Sequence, residues 1–342
     1  MSLLLSPVQI AKLALKNRVV MPPMCMYEVH KEDGVATPFH FAHYGARAIG
    51  QVGLIIIEAT AVAPDGRLTN QDLGLWNEEQ AQKLKELVAT LHFLGAKVGI
   101  QLGHGGRKAK DAVQPIASSA IPFNETYKRP HEMTKEMIKQ TQQDFIDATK
   151  RAIAAGVDMI EIHGAHGYLL NEFLAPQTNQ RKDEYGGTLE NRYRFVREII
   201  QEIRQFYQGS LWIRLSLSDY SEPQNSLEEW QTLAQWLEAD GIDCIDVSTG
   251  GLLDRTPNMP IHAGYQVPFA TQIKEAVSIP VTAVGLLDNP GLCEFLLQTN
   301  QTDLVAIGRG LIRNTNWLAD AAKELKERDF QVYNHSYFRG QQ

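Results

Sequence analysis

Cysteine is scarce: Cys25, Cys244 and Cys293 are the only three in 342 residues, far apart and with no CxxC pair. That excludes a disulfide framework and an iron–sulfur cysteine cluster, and it fits a reduced interior. Long apolar runs are missing too, so no stretch approaches the ~20 residues that span a bilayer. The opening Met1-Ser-Leu-Leu-Leu-Ser-Pro7 has an apolar run too short for a signal sequence and no basic flank. Positive charge is in deficit, with 33 Lys and Arg against 40 Asp and Glu, a formal charge of −7 and a pI near 5.8. Nucleic acid and anionic membrane are therefore poor partners. No G-x-G-x-x-G occurs, which removes the dinucleotide turn of a doubly wound sheet. The expectation is a soluble cytoplasmic protein.

What is present is an alternation of short apolar strands with longer amphipathic helices. Strands are predicted over 18–21, 54–58, 97–102, 159–163, 212–217, 244–248, 281–284 and 304–307. Eight strands separated by helices read as a closed parallel (β/α)8 barrel, one domain over residues 1–342. Helix signals agree. Ser226-Leu-Glu-Glu229 is a capping box ahead of Trp230, Leu233 and Leu237, with Gly241 where a C-terminal glycine belongs. A helix over 135–155 aligns Ile138, Phe145, Ala148 and Ala152 and stops at Gly156. Pro290 follows a capping Asn289.

The chain is organised around residues 158–174. Met159, Glu161 and His163 alternate with Ile160 and Ile162, the pattern of a strand packed on both faces. The strand breaks at Gly164, and His163, His166 and Tyr168 crowd into six residues. Two imidazoles and a phenol at a strand's C-terminal end form a compact donor set with one candidate proton donor. Other strands show the same two-faced character: Gln101 shares a face with Lys97 and Gly99, Arg214 with Ser216, and Asp246 with Ser248. The greasy faces must meet the helices, so the polar faces are expected inside the barrel, beneath a polar ligand at its C-terminal mouth. The long 103–134 loop carries Arg107 and Lys108, which suggests an anion contact or a lid. Gly285, and Gly308-Arg309-Gly310, follow the last two strands, where such barrels bind phosphate. A different class of enzyme stays open on these residues alone: a barrel lyase using Lys97 or Lys108 as a Schiff-base amine, or a divalent metal at His163 and His166. No third ligand is evident beside that pair.

Ordered motifs along nearly the whole chain resemble the old yellow enzyme family of FMN-dependent ene reductases. They are Val20-Met-Pro-Pro-Met-Cys-Met-Tyr27, Thr37-Pro-Phe-His-Phe-Ala-His-Tyr44, Gly103-His-Gly-Gly-Arg-Lys108, His163-Gly-Ala-His-Gly-Tyr168, Asp183-Glu-Tyr-Gly-Gly187 with Glu190-Asn-Arg192, and Gly308-Arg309. Cys25 and the terminal Tyr337-Phe-Arg339 resemble the thermophilic-like branch of bacterial NADPH dehydrogenases. The resemblance implies the same barrel with tightly bound, non-covalent FMN, and NADPH as transient reductant. It implies that Pro23, Met24 and Cys25 line the flavin, the Cys25 thiol tuning its potential. Ala59 and Gln101 would touch the pyrimidine side, Arg214 would place charge by N1, and Gly285, Gly308 and Arg309 would hold the phosphate. His163 and His166 would hold the carbonyl oxygen of an α,β-unsaturated aldehyde, ketone or nitro compound while Tyr168 donates the proton. Tyr27 would line the substrate pocket. Arg339, in a tail over 328–342, would reach the neighbouring subunit's site in a homodimer or homotetramer. Detoxification of electrophiles is the role the family suggests.

Overall fold

Strand formation follows from paired burial. Ile55 and Ile57, Val98 and Ile100, Ile160 and Ile162, Ile213 and Leu215, Ile245 and Val247 are all buried in the layer between strands and helices. β-Branched residues in such short runs favour a sheet covered on its outer face. The computed structural model describes residues 2–256, 258–333 and 335–341. Its barrel strands are β1 (Val19–Met21), β2 (Leu54–Ala61), β3 (Lys97–Gly103), β4 (Met159–Gly164), β5 (Ser210–Ser216), β6 (Cys244–Ser248), β7 (Val281–Ala283) and β8 (Leu304–Ala306). Each pairs in parallel with the next, and β8 closes on β1 through Val305 and Val19. This is the (β/α)8 barrel expected from the strand count.

The helices are α1 (Pro38–Ile49), α2 (Glu78–Phe93), α3 (Lys135–Ala155), α4 (Leu169–Leu174), α5 (Leu189–Phe206), α6 (Leu227–Ala239), α7 (Val267–Lys274), α8 (Pro290–Gln298), α9 (Arg309–Arg313) and α10 (Trp317–Glu324). Their boundaries lie where the capping chemistry put them. Glu229 N donates to Ser226 Oγ at 3.2 Å and Ser226 N to Glu229 Oε2 at 2.9 Å, closing the α6 box. Gly156 ends α3 at φ 88°, a left-handed cap that favours glycine. Asn289 accepts from Leu292 N at 2.7 Å at the start of α8.

The expectation of a polar interior holds for only half of the barrel. The inward face changes character along each strand. Met159, Trp212, Cys244 and Leu304, near the strands' N-terminal ends, join Leu54 and Ile56 in an apolar floor. A hairpin of Val8–Ile10 and Leu13–Leu15, which the sequence reading did not include, plugs that floor with Ile10, Leu13 and Leu15. One step towards the C-terminal ends, Gln101, Glu161, Arg214 and Asp246 take over. The floor is sealed against water and needs no polar atoms; the mouth is where polar groups can be used. Among the described residues, no helix is long and apolar enough to cross a membrane.

Candidate active site

β4 delivers His163 to the mouth, where Ala165 N donates to its Nδ1 at 3.4 Å, placing the ring proton on Nε2. The chain then reverses through two left-handed residues, His166 at φ 59° and Gly167 at φ 71°. Glycine is needed at the second: a Cβ there would lie 2.5 Å from Gly251 O. The non-glycine first position is held by its neighbours. His166 N donates to Ser216 Oγ at 2.9 Å, His166 Nε2 lies 2.8 Å from Ser248 Oγ, and Ser216 Oγ donates to Gly250 O at 2.9 Å. Tyr168 caps α4, its ring centroid 4.9 Å from that of His163; the two imidazoles are 5.3 Å apart. The expected trio is thus one cluster.

Its electrostatics make it a set of neutral donors. Burial, reinforced by Arg214 and Lys108, holds both imidazoles well below their ordinary range. Burial pushes the Tyr168 hydroxyl above its ordinary range. The flanking loop after β1 carries Cys25, whose sulfur is hydrogen-bonded to the Ala59 backbone and to Tyr27. Burial, then the charges of Asp72 and Glu58, push this thiol well up, so it is kept protonated. Tyr27 stands half-exposed at φ 58°, its phenol pushed up to about 12 by burial. Ala59 lines a small cavity with His163 and Tyr168.

A cavity of about 230 Å³ continues from this cluster, lined by His166, Arg214, Gly285, Gly308 and Arg309. Met24 stands against Gly308, where an added Cβ would meet its Sδ at 3.1 Å, and Pro23 lies partly buried in the same loop. Gln101 is buried below, its Nε2 donating to Glu161 Oε1 at 2.8 Å. Arg214 is buried with Asp246 Oδ2 3.2 Å from its Nε, yet that Nε has no well-aligned acceptor. A buried cation beneath the neutral donors and a glycine-lined cavity with Arg309 beyond it fit FMN, with the cation beside the ring and the glycines and Arg309 at the phosphate. Arg339 alone lies apart, in a groove of about 560 Å³ against Ala46 and Ile49 of α1.

Two expectations change. Arg107 and Lys108 form neither a free anion contact nor a loose lid. Arg107 Nη2 donates to Leu252 O at 2.5 Å, and Lys108 Nζ to His166 O at 3.0 Å and Gly251 O at 2.9 Å. They tie the β3 loop to the β4 and β6 loops, because backbone carbonyls are the acceptors within reach. Lys97 begins β3, at the end opposite the trio, and pairs with Asp158 at 2.6 Å, so it cannot serve the mouth as a Schiff-base amine. Among the described residues, no three metal-type side chains cluster.

The sequence reading also passed over what holds the Cys25 loop. Glu58 Oε2 accepts from Met26 N at 2.8 Å, and Glu58 Oε1 from the Tyr44 hydroxyl at 3.1 Å. That hydroxyl accepts from Glu58 N at 2.9 Å, and His40 Nε2 is 3.4 Å from Glu58 Oε1. The signal was available: His40 and Tyr44 are four apart, hence on one face of α1.

Residues 3–328 match the NADH:flavin oxidoreductase / NADH oxidase family. The NADPH dehydrogenase of Listeria monocytogenes serotype 4a (strain HCC23) is 49% identical over 327 residues, 96% of each chain. Among solved structures, morphinone reductase superposes with a TM-score of 0.84 at 28% identity, over 94% of this chain and 90% of that one. A 2-naphthoyl-CoA reductase complex gives a TM-score of 0.89 at 25% identity over 96% of this chain, which spans only 53% of that larger one. The barrel, the mouth cluster and these likenesses agree: this chain is a flavin-dependent oxidoreductase of the NADH:flavin oxidoreductase / NADH oxidase family, of the old yellow enzyme type.

Proposed function

We propose that the protein is an ene reductase that uses NADPH to reduce the C=C bond of α,β-unsaturated aldehydes, ketones or nitro compounds. The observation that carries this reading is the neutral trio His163, His166 and Tyr168 gathered over the mouth. FMN, when bound, would supply the two-electron hydride chemistry that links NADPH to the substrate β-carbon. His163 and His166 donate to the substrate's carbonyl or nitro oxygen, meeting negative charge as it develops there. Ser248 Oγ lies 2.8 Å from His166 Nε2, and in the tautomer that accepts there His166 presents Nδ1–H. Tyr168 gives its hydroxyl proton to the α-carbon; a phenol held neutral is available for this at any physiological pH.

Arg214 would set positive charge against the flavin ring, and Gly285, Gly308 and Arg309 would hold the phosphate. Pro23, Met24, Ala59 and Gln101 would flank the ring, and the protonated Cys25 thiol would tune its potential as a neutral dipole. Tyr27 borders the substrate. One mouth serves both reductant and substrate, so the kinetics are ping-pong. In a homo-oligomer Arg339 reaches the neighbouring mouth, which fits its distance from its own. The setting is a cytoplasmic enzyme that removes reactive electrophiles.

Tyr168→Phe separates the two half-reactions. NADPH consumption under anaerobic single-turnover conditions is expected to stay near wild type, while alkene reduction slows by about 10²–10⁴-fold, the usual worth of a general acid. Equal loss in both halves would remove Tyr168 from its role.

A further inference from the structure

Below the mouth, three ionisable side chains meet inside the barrel, and the chemistry above uses only one of them. Glu161 is 0%, Asp246 1% and Arg214 6% exposed. The ladders set Arg214 beside Asp246 and Glu161 beside Gln101 on neighbouring strands. Glu161 Oε1 accepts from Gln101, and Asp246 Oδ2 faces Arg214. The remaining oxygens, Glu161 Oε2 and Asp246 Oδ1, have no donor, while the two carboxyls are in hydrogen-bond contact with each other. Two carboxylates touching in a dry interior against one guanidinium would leave a net negative charge and two orphan oxygens. One proton removes both problems.

We propose that Glu161 is held as a neutral carboxylic acid whose proton bridges to Asp246, so that Asp246 alone balances Arg214 and fixes how much positive charge the mouth feels. Both are positioning residues, acting through Arg214. Burial and the Asp246 charge push the Glu161 carboxyl well above the usual range. Burial raises Asp246 as well, but Arg214 and the hydrogen bond from Glu161 oppose it, so Asp246 is the ionised member. The other groups facing the pair are compatible. His163 lies one step up β4 and His166 across the mouth, both held neutral. Lys108 sits farther out; Cys244, one step down β6, is a thiol pushed up by burial; Gln101 and Thr282 do not titrate.

Two measurements test this, the first independent of any flavin. Glu161→Gln copies the protonated acid: its amide oxygen accepts from Gln101 and its N–H donates to Asp246. A carboxyl raised on folding gives stability that is complete below the unfolded range near pH ~4.3 and is lost as pH rises through the folded value. Above pH 5, and up to the pH at which the folded-state carboxyl itself ionises, the folding equilibrium of Glu161→Gln should therefore gain on wild type by about tenfold per pH unit, the slope for one proton. A difference that stays flat with pH would show Glu161 ionised in the fold and overturn the proposal.

The second measurement rests on FMN lying over Arg214. In the FMN-loaded protein, Glu161→Gln should change the ratio of reduced to oxidised FMN affinity less than twofold. Asp246→Asn should raise it about tenfold, or about 30 mV for a two-electron couple. An increase in Glu161→Gln equal to that in Asp246→Asn would contradict a neutral Glu161. Failure to load FMN at all would count against the proposed function, and the pH comparison would still decide where the proton is.

Discussion

At the residue scale, the site works by keeping charge off its side chains. His163, His166 and Tyr168 are all neutral because burial outweighs hydration, and the neighbouring cations push the imidazoles further the same way. Cys25 follows the same rule. Desolvation of this partly buried thiol disfavours its thiolate, and the negative charge of Asp72 and Glu58 disfavours it again. Iodoacetamide labelling at pH 8, followed by peptide mass spectrometry, is expected to modify Cys25 at least about tenfold more slowly than a free thiol of pKa ~8.5. Labelling at the free-thiol rate would place Cys25 in a different environment. Much of this cluster was legible from sequence because alternation puts Arg214, Asp246, Glu161 and His163 on inward faces whatever the tertiary detail. The serines that hold His166 were not, since Ser216 and Ser248 become its partners only once the β4 turn takes a left-handed path.

At the scale of elements, the mouth is assembled by loops that other elements lash down. The loop after β1 depends on α1, through Tyr44 and His40, and on Glu58 of β2. Tyr44→Phe keeps the ring and deletes the hydroxyl, leaving Glu58 N buried without an acceptor and one carboxylate oxygen with a weaker set of donors. The expected cost is about 1–3 kcal/mol. A calorimetric scan should show a lower Tm, and Cys25 should label faster than in wild type. Unchanged values for both would mean that the loop is held by other contacts. Barrel strands were legible because runs such as Ile55–Ile57 and Ile160–Ile162 are buried from both sides. The N-terminal hairpin was not, because Val8–Ile10 and Leu13–Leu15 are joined by two residues with no helix between them and so fall outside the strand–helix alternation. Without that plug, the apolar lower half of the barrel could not be anticipated either. Trp212 and Met159 share their faces with Arg214 and Glu161, and only the floor explains the change along each strand.

At the scale of the whole molecule, the barrel is divided into a sealed apolar floor and a polar mouth, and the chemistry sits where the division falls. One end of the mouth offers neutral donors, the other a glycine-lined cavity with Arg309, and Arg214 lies between them, its charge answered by Asp246 from below. The fold and this arrangement follow from one chain; the proposed role of Arg339 does not, because Arg339 lines a groove on α1 away from its own mouth. In the proposed function FMN occupies the mouth with the histidine pair facing the substrate. That placement is tested most directly by the visible spectrum of the purified protein during titration with a phenol, with the chromophore identified after heat release. The expected result is a flavin band that shifts on phenol binding, FMN as the released chromophore, and much weaker phenol binding when His163 and His166 are both replaced by alanine. A colourless protein that cannot be reconstituted with FMN would contradict it, as would phenol binding that is indifferent to the loss of both histidines.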